Sequence, residues 1–397
     1  MPPRRPVKRG AREPYNAAVS PRAGPPHALP PSFRLQEAVV TALRGNAPAA
    51  NDDSEADIEA ALRRYECGGW LHARWRSGAV AGIPDTWRAA AARAHRRTLL
   101  DTLAALGGLR EVASLLAEAG TPFVLIKGVA YLADLYTDAG ARAFTDVDLL
   151  VPGDYVAPLA RRLAAAGFAG AAGPEFPEDC RFEMYRPGPA ACRFEIHWRL
   201  GSGGRMRLDQ EALWQRARAA TVEGVPCRLL APDDALLFHV GHAADHYFGP
   251  TLKWALDLRE MLRLWNPDPP DLVEQARAAG LMTALHLALG QVETLFPGAT
   301  PPALLRATAL GPARRAAIGW ARGRGPAEFL RVSGEDRRRM ALRPFLFDSF
   351  IDAARVTATV LRRPAARWRR SAGGAPMPWE PERPETPIDP RDPRVVR

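Results

Sequence analysis

The sequence predicts an α+β fold in which a small mixed β-sheet lies between two helical regions. Residues 35–120 and 231–361 are rich in Ala, Leu and Arg and repeat their apolar residues at helical spacing. Residues 121–230 instead contain short β-type apolar runs separated by Gly and Pro. A chain of 397 residues is long enough for two or three domains of about 100–200 residues each.

The net charge of +10 is concentrated in two tails rich in Pro and Arg. Residues 1–34 carry a net charge of +6, residues 362–397 carry +4, and together they hold 17 of the 38 prolines. This composition predicts that both tails are disordered. Because the region between them is formally neutral, the high net charge is no argument for a nucleic-acid-binding surface, and the sequence leaves nucleic acid open as a partner.

Composition also restricts the class of protein. The hydrophobic fraction of 47% excludes a wholly disordered chain. No stretch approaches the roughly 20 apolar residues of a membrane-spanning helix, and the basic N-terminus lacks the apolar core of a secretory signal. The four cysteines form no CxxC pair. We therefore expect a cytoplasmic protein that has no membrane partner.

Helix-start signals mark both helical regions. Ser54 precedes a helical pattern with acidic residues in its first turn, and Pro232 opens a helical pattern with paired aspartates in the same way. Another pattern of high helix propensity covers residues 85–118. Gly107 and Gly108 interrupt that pattern, so we expect them to divide it into two helices.

The central region predicts alternating strands and helices. The strand signals are runs of β-branched, aromatic and other apolar residues that stop at Gly or Pro. In chain order we expect a strand at 123–126, a helix at 129–140, a strand at 144–151, a helix at 154–168, a hairpin at 181–199 and a further β segment at 221–230.

Three carboxylates in this region form the strongest candidate site. Asp146 and Asp148 are two residues apart in a predicted strand, so their side chains share one face, about 6.6 Å apart along the chain. Glu195 and His197 share a face of the second hairpin strand in the same way. If the two strands pair, Glu195 joins the aspartates. Three carboxylates without a nearby cysteine favour Mg²⁺ or Mn²⁺ as the bound ion.

Lys127 and Gly128 predict a phosphate site beside these carboxylates. They lie between a predicted strand and a predicted helix, so a helix N-terminus with free backbone N–H groups would lie there. Lys127 would add a positive charge to the phosphate site, or it would form a structural ion pair with one of the two aspartates, and both roles stay open. Arg142 lies in the loop before Asp146, where it could bind a triphosphate or hold the loop in place, and both roles stay open. Divalent ions beside a phosphate cradle are typical of in-line phosphoryl or nucleotidyl transfer.

Three histidines lie on one face of the helix predicted after Pro232: His239, His242 and His246. One interpretation is that they line the active cleft and contact the acceptor or the nucleotide. Another is that they are buried and hydrogen-bonded within the core. A third is a zinc site, since His242 and His246 at positions i and i+4 could hold one ion, although no Glu follows His242 as in the HExxH pattern.

Three separated motifs in a fixed order carry a resemblance to a known family. They are FVLIKGVAYLADLYTDAGARAFTDVDLLVP, FEIHWRL and LLFHVGHAADHYFGPTLKWALDLREML, within about residues 90–265. In these motifs the chain resembles the uncharacterised nucleotidyltransferases of bacteria, a family of the polymerase-β-like nucleotidyltransferase superfamily. Two departures from the superfamily pattern are Lys127-Gly128 in place of Gly-Ser and Glu195 as the third acid in place of Asp.

The resemblance implies a metal-dependent nucleotidyltransferase that moves a nucleoside monophosphate from an NTP to an acceptor. It implies that Asp146 and Asp148 bind Mg²⁺ or Mn²⁺ and that Glu195 completes the catalytic site, with His197 beside it. The acceptor stays open among a small molecule, a peptide, a protein and an RNA end. Two alternatives are a non-catalytic nucleotide-binding or partner-binding protein on the same fold, and a zinc hydrolase built on the three histidines.

Overall fold

The computed structural model describes most of the chain between residues 33 and 316 and a few residues beyond. The described residues are 33–48, 53–170, 180–187, 192–201, 206–246, 248–249, 251–312, 314–316, 346–349, 351 and 353–354. The tails predicted at 1–34 and 362–397 lie outside these residues, except that residues 33–34 begin the first described helix.

Within the described residues, four α-helices precede the sheet: α1 Phe33–Leu43, α2 Glu55–Arg64, α3 Gly68–Arg76 and α4 Asp85–Glu118. The helix start predicted at Ser54 is confirmed. The Asp57 backbone N–H donates a hydrogen bond to the Ser54 hydroxyl, and the Ser54 backbone N–H donates one to the Asp57 carboxylate. This reciprocal cap satisfies two backbone donors that the first turn of a helix leaves without partners.

The predicted division of the long helix at its glycine pair is wrong, because α4 continues unbroken for 34 residues. Leu106 and Leu109, on either side of the glycines, are buried in the core. Gly108 lies so close to the sheet that a Cβ atom there would be 3.1 Å from the ring of Phe194. Tertiary packing therefore outweighs the low helix propensity of glycine.

Seven strands form one mixed sheet among the described residues: β1 Val124–Ile126, β2 Asp146–Leu150, β3 Ala169–Gly170, β4 Arg181–Tyr185, β5 Arg193–His197, β6 Arg218–Val222 and β7 Val225–Leu229. Their order is β3-β4-β5-β2-β1-β7-β6. The β2–β5 and β1–β7 pairs are parallel, and the other pairs are antiparallel. The hairpin predicted at 181–199 is confirmed as the β4–β5 pair, and the segment predicted at 221–230 covers the end of β6 and all of β7.

The helix predicted at 129–140 is wrong in type and length. A short 3₁₀ helix, Gly128–Leu132, follows β1, and the chain then continues in turns. Beyond it, the carboxylate of Asp138 accepts a hydrogen bond from the backbone N–H of Gly140 and pairs with His95. Such side-chain bonds give the backbone an alternative to the helical ladder.

Among the described residues, two α-helices lie between strands and five follow the sheet. They are α5 Val156–Ala165, α6 Gln210–Arg216, α7 Pro232–Asp245, α8 Lys253–Trp265, α9 Pro269–Ala279, α10 Met282–Leu295 and α11 Pro302–Ala307. Pro232 lies at the first position of α7, as the sequence predicts.

The helices and the sheet share one core. A single cluster of buried apolar side chains extends from Leu35 to Leu346 and includes members of the sheet and of helices before and after it. Helix α4 packs on β2, β7 and α5, while α7 packs on α8 and α10. None of the helices in the described part of the chain combines the length and the apolar content needed to cross a membrane.

Candidate active site

Three adjacent strands bring the predicted carboxylates to one place. Strand β2 lies between β1 and β5, and its Asp148 is in register with Ile126 of β1 and with Glu195 of β5. Lys127 follows β1 directly, so it reaches the same position from the other side. The alternation of side chains along β2 and β5 puts Asp148 and Glu195 on one face, as the sequence predicts.

Asp148 is the centre of a buried polar cluster. Its Oδ1 atom accepts a hydrogen bond from Lys127 Nζ at 2.8 Å and lies 3.0 Å from His197 Nε2. The same His197 nitrogen is 3.4 Å from Glu195 Oε2. The side chains of Lys127 and Asp148 are only 9% and 2% exposed, so this ion pair is largely shielded from water.

A metal-binding donor set exists within this cluster. One ligand atom each from Asp148, Glu195 and His197 lie within 4.8 Å of one another. Two carboxylates and one imidazole suit a divalent cation. Asp146 is not a member of this group of three, whereas the sequence predicts it as a ligand.

Asp146 instead pairs with an arginine on the neighbouring strand. Its Oδ2 atom lies 3.1 Å from Arg193 NH2, and the carboxylate is half-buried. Burial raises the pKa of Asp146, and the negative charges of Asp148 and Glu195 raise it further against the opposing charges of Lys127 and Arg193. Asp146 is therefore close enough to repel the other two carboxylates, although it is not one of the three possible metal ligands.

Glu195 is held in its charged form. Burial alone would raise the pKa of this carboxyl, but the hydrogen bond to His197 and the charges of Lys127 and Arg181 lower it well below its usual range. Arg181 NH1 donates to Glu195 Oε2 at 2.9 Å from the adjacent strand β4. A buried carboxyl with a lowered pKa favours its charged form, which is the form that binds a cation.

The backbone at Lys127 is held in an unusual conformation. Lys127 has a φ of 53°, in the left-handed region that non-glycine residues rarely adopt, and Gly128 has a φ of 39°. The Lys127 ammonium group also lies 5.8 Å from the centre of the Phe238 ring. The strained turn directs this side chain towards Asp148. The helix N-terminus predicted here is the start of a five-residue 3₁₀ helix.

Arg142 lies in a second buried polar cluster. Its Nε and NH2 atoms donate to the Asp257 carboxylate, with NH2–Oδ2 at 2.8 Å, and the Tyr136 hydroxyl donates to the same carboxylate at 2.6 Å. The guanidinium group also lies 5.2 Å from the centre of the Tyr131 ring. Burial opposes the charge on Asp257, but Arg142 lowers the pKa of that carboxyl below its usual value. Of the two roles left open for Arg142, these contacts match the one that holds the loop in place.

The three histidines of α7 have different surroundings. His239 is buried, its Nε2 lies 2.9 Å from the Trp254 carbonyl oxygen, and its Nδ1 lies 3.1 Å from the Tyr131 hydroxyl. Since a carbonyl only accepts, Nε2 carries the proton and Nδ1 accepts from the tyrosine. Burial lowers the pKa of His239, in agreement with a neutral ring.

The other two histidines of the stripe lie closer to solvent. The rings of His242 and His246 are 4.7 Å apart, with His242 half-buried and His246 exposed. Burial and then the charge of Lys127 lower the pKa of His242. Among the described residues, neither His242 nor His246 joins a group of three metal ligands, and both nitrogens of His239 are already engaged.

Sequence reasoning missed two arginines of the site, Arg181 and Arg193. Both lie on the β4–β5 hairpin, where Arg181 is in register with His197. Arg193 precedes Glu195 by two residues and is in register with Asp146 of β2. Strand alternation could have found Arg193, which shares a face with Glu195 two residues later, whereas Arg181 becomes visible only once the register of β4 and β5 is known.

A comparison with protein families agrees with the resemblance seen in the sequence. The model of a family described as uncharacterised nucleotidyltransferases matches residues 56–297, which is more than half of the chain. No curated protein matches the sequence. Among solved structures, an antigenic nucleotidyltransferase-like protein from Paracoccidioides brasiliensis is 18% identical, with a TM-score of 0.32, and the match covers 53% of this chain and 91% of that one.

Proposed function

Because the chain belongs to the family of uncharacterised nucleotidyltransferases, we propose that it transfers a nucleoside monophosphate from an NTP to an acceptor, with release of pyrophosphate, in a metal-dependent reaction. The observation that carries the proposal is the group formed by Asp148, Glu195 and His197, whose ligand atoms lie within 4.8 Å of one another on two paired strands. The acceptor is a small molecule, a peptide, a protein or an RNA end. The proposal includes a cytoplasmic location and a catalytic core at residues 121–230, between helical domains at 35–120 and 231–361.

The donor set supports Mg²⁺ or Mn²⁺ as the cation. The carboxylates of Asp148 and Glu195 are hard oxygen ligands, and the imidazole of His197 suits Mn²⁺ better than Mg²⁺. Asp146 would contribute a third carboxylate from the same strand face as Asp148. A divalent cation bound here would neutralise phosphate charge and make the attacking acceptor oxygen a better nucleophile.

The basic residues of the site are suited to bind phosphate and to position the carboxylates. Lys127 pairs with Asp148 at 2.8 Å, and its ammonium group can donate a charge-assisted hydrogen bond to a phosphate oxygen instead. Arg181 and Arg193 hold Glu195 and Asp146 in place from the neighbouring strands. His242 would lie on the same side of the site, since the centre of its ring is 6.3 Å from that of Phe238, over which the Lys127 ammonium group lies.

Label transfer tests the proposal directly. Each α-labelled NTP is incubated with the purified protein, Mg²⁺ or Mn²⁺ and a cell extract, and the label is traced. We expect transfer by the wild type and by Asp154→Asn, an exposed carboxylate outside the cluster, and no transfer by Asp148→Asn. The proposal fails if no NTP and metal pair gives transfer, or if Asp148→Asn transfers as well as the wild type.

One observation favours a second candidate function, a non-catalytic nucleotide-binding protein on the same fold. Lys127 and His197 already contact Asp148, so the cluster has internal partners without a cation. This candidate predicts NTP binding that needs no divalent cation and is followed by no label transfer. Calorimetric titration of an NTP with and without Mn²⁺, beside the transfer assay, separates the two functions.

A further inference from the structure

A cavity of about 540 Å³ lies on a different part of the molecule from the carboxylate cluster. The end of α1, helix α3, helix α8 and the turn after α10 line it. Its volume is in the range of about 300–1,000 Å³ that is typical of small-molecule sites. None of its lining residues belongs to the group of Asp148, Glu195 and His197.

The wall of this cavity is basic. Three arginines line it, Arg44, Arg74 and Arg259, and none of the described lining residues is acidic. Glu260, beside the cavity, pairs with Arg259, but it also pairs with Arg263 at 2.7 Å. One carboxylate is thus shared by two guanidinium groups. A second carboxylate, Glu293, accepts a hydrogen bond from the backbone N–H of Gly298, so three lining arginines face two neighbouring carboxylates.

Among the described residues, Arg44 adds charge without a carboxylate partner. Its Nε donates to the Leu295 carbonyl at 2.8 Å and its NH2 to the Thr294 carbonyl at 2.7 Å. These carbonyls end α10 and orient the guanidinium group, but they do not neutralise its charge.

Arg74 has an unmet hydrogen-bonding requirement. Its Nε atom is buried and has no hydrogen-bond partner among the described residues. Burial lowers the pKa of Arg74, and the neighbouring charge of Arg259 lowers it further. An anion in the cavity would supply the compensating charge, and the other N–H groups of Arg74 can donate to it.

Two aromatic rings hold the guanidinium groups in place. Arg259 lies 5.6 Å from the centre of the Trp70 ring and 5.2 Å from that of Phe296, and Arg74 lies 5.5 Å from Trp70. Stacking on aromatic faces fixes the planar groups and leaves their N–H edges available. The site is therefore organised before any ligand binds.

We propose that this cavity binds the phosphate group of a phosphorylated small molecule. The guanidinium fork matches the oxygen geometry of phosphate, and a phosphate ester brings close to two negative charges and three acceptor oxygens, against one charge for a carboxylate. The cavity is larger than a phosphate ion, and Leu43, Val80 and Phe296 offer apolar surface for the organic part.

Phosphate-dependent stabilisation tests the site. The melting temperature of the full chain is measured with inorganic phosphate, glycerol 3-phosphate or acetate, at constant ionic strength. We expect the two phosphates to raise the melting temperature of the wild type more than acetate does. We expect an apparent affinity at least about tenfold weaker in Arg74→Gln, since one charge-assisted hydrogen bond is lost, and no change in Arg76→Gln, an exposed arginine of the same helix.

Two further measurements make the outcome decisive. Lys127→Gln removes the phosphate contact proposed for the active site, so phosphate stabilisation must persist in it if the cavity is the binding site. In the wild type, phosphate must also slow the modification of Arg74 and Arg259 by phenylglyoxal, read by mass spectrometry, which needs no variant to fold. Equal stabilisation of Arg74→Gln and wild type, its loss in Lys127→Gln, or an unprotected Arg74 would overturn the proposal.

Discussion

We expect the folded protein to be strongly destabilised when either partner of the ion pair between Lys127 and Asp148 is removed alone. The pair has a 2.8 Å contact and side chains that are 9% and 2% exposed. Removing one partner of such a buried pair leaves an uncompensated charge and costs about 3–5 kcal/mol. We therefore expect Lys127→Met and Asp148→Asn each to lower the free energy of unfolding by about that amount.

A double-mutant cycle isolates the pair. Because the second substitution removes the charge that the first leaves alone, the double variant should lose far less than the two single losses together, with a coupling energy of about 2–3 kcal/mol. Urea unfolding followed by circular dichroism gives the four free energies. Arg88 and Asp85 are a matched control, since their 2.9 Å pair is exposed and should give a coupling below about 1 kcal/mol.

Additive losses in the buried pair, within about 0.5 kcal/mol, would refute this reasoning. The same variants report on the metal site. Since the ammonium group competes with a cation for the Asp148 carboxylate, Lys127→Met should bind Mn²⁺ more tightly than the wild type does. Titration of free Mn²⁺ by electron paramagnetic resonance measures this, and unchanged or weaker binding would contradict the assignment of Asp148 as a ligand.

Other predictions follow from burial elsewhere in the chain. Asp257→Asn should lower the free energy of unfolding by about 3–5 kcal/mol in urea titrations, because it leaves buried Arg142 without its counter-ion. A loss below about 1 kcal/mol would contradict the stabilising role of the Arg142–Asp257 ion pair. Burial lowers the pKa of His239, so the histidine binds a proton more readily in the unfolded chain than in the folded one. The free energy of unfolding should therefore fall as the pH drops below about 6.5. Urea titrations at pH 7.5 and 5.5 measure this change, and a higher free energy of unfolding at pH 5.5 would contradict the prediction. Gly107→Ala, at an open position of α4, should raise stability by about 0.5–1 kcal/mol, whereas Gly108→Ala should gain less because its Cβ meets Phe194; thermal melts of the two variants compare them, and an equal gain would be contrary evidence.

The placement of Glu195 beside Asp148 could be predicted from the sequence because strand periodicity is a strong local rule. Each carboxylate occupies an alternate position of a short apolar strand, so pairing of the two strands is enough to bring them together. The basic partners depend on strand register, which one strand's pattern does not determine. In the observed register Arg193 pairs with Asp146. The third member of the metal-binding group is His197, whereas the sequence predicts Asp146.

The two wrong helix predictions have one physical cause. Local propensity is a weak preference that packing and side-chain hydrogen bonds outweigh. Gly107 and Gly108 lie in an unbroken helix because the flanking leucines are buried. Residues 129–140 form only a short 3₁₀ helix and turns, although their helix propensity is adequate for an α-helix. The buried pair of Arg142 and Asp257 links positions 115 residues apart, a distance at which no sequence pattern operates.

The parallel pairing of β2 with β5 also affects how the protein folds. Asp148 and His197 are 49 residues apart in sequence. Strand β1 and its parallel partner β7 are separated by about a hundred residues. Contacts between distant segments form slowly, because closing a long loop costs entropy before the contact compensates for it. Asp148 can pair early with Ile126 and Lys127 of the preceding segment, but the group that it forms with Glu195 and His197 cannot assemble until β5 has been made. Metal binding at this position would accordingly report the completion of folding, and a fragment that ends before Arg193 should not bind the ion.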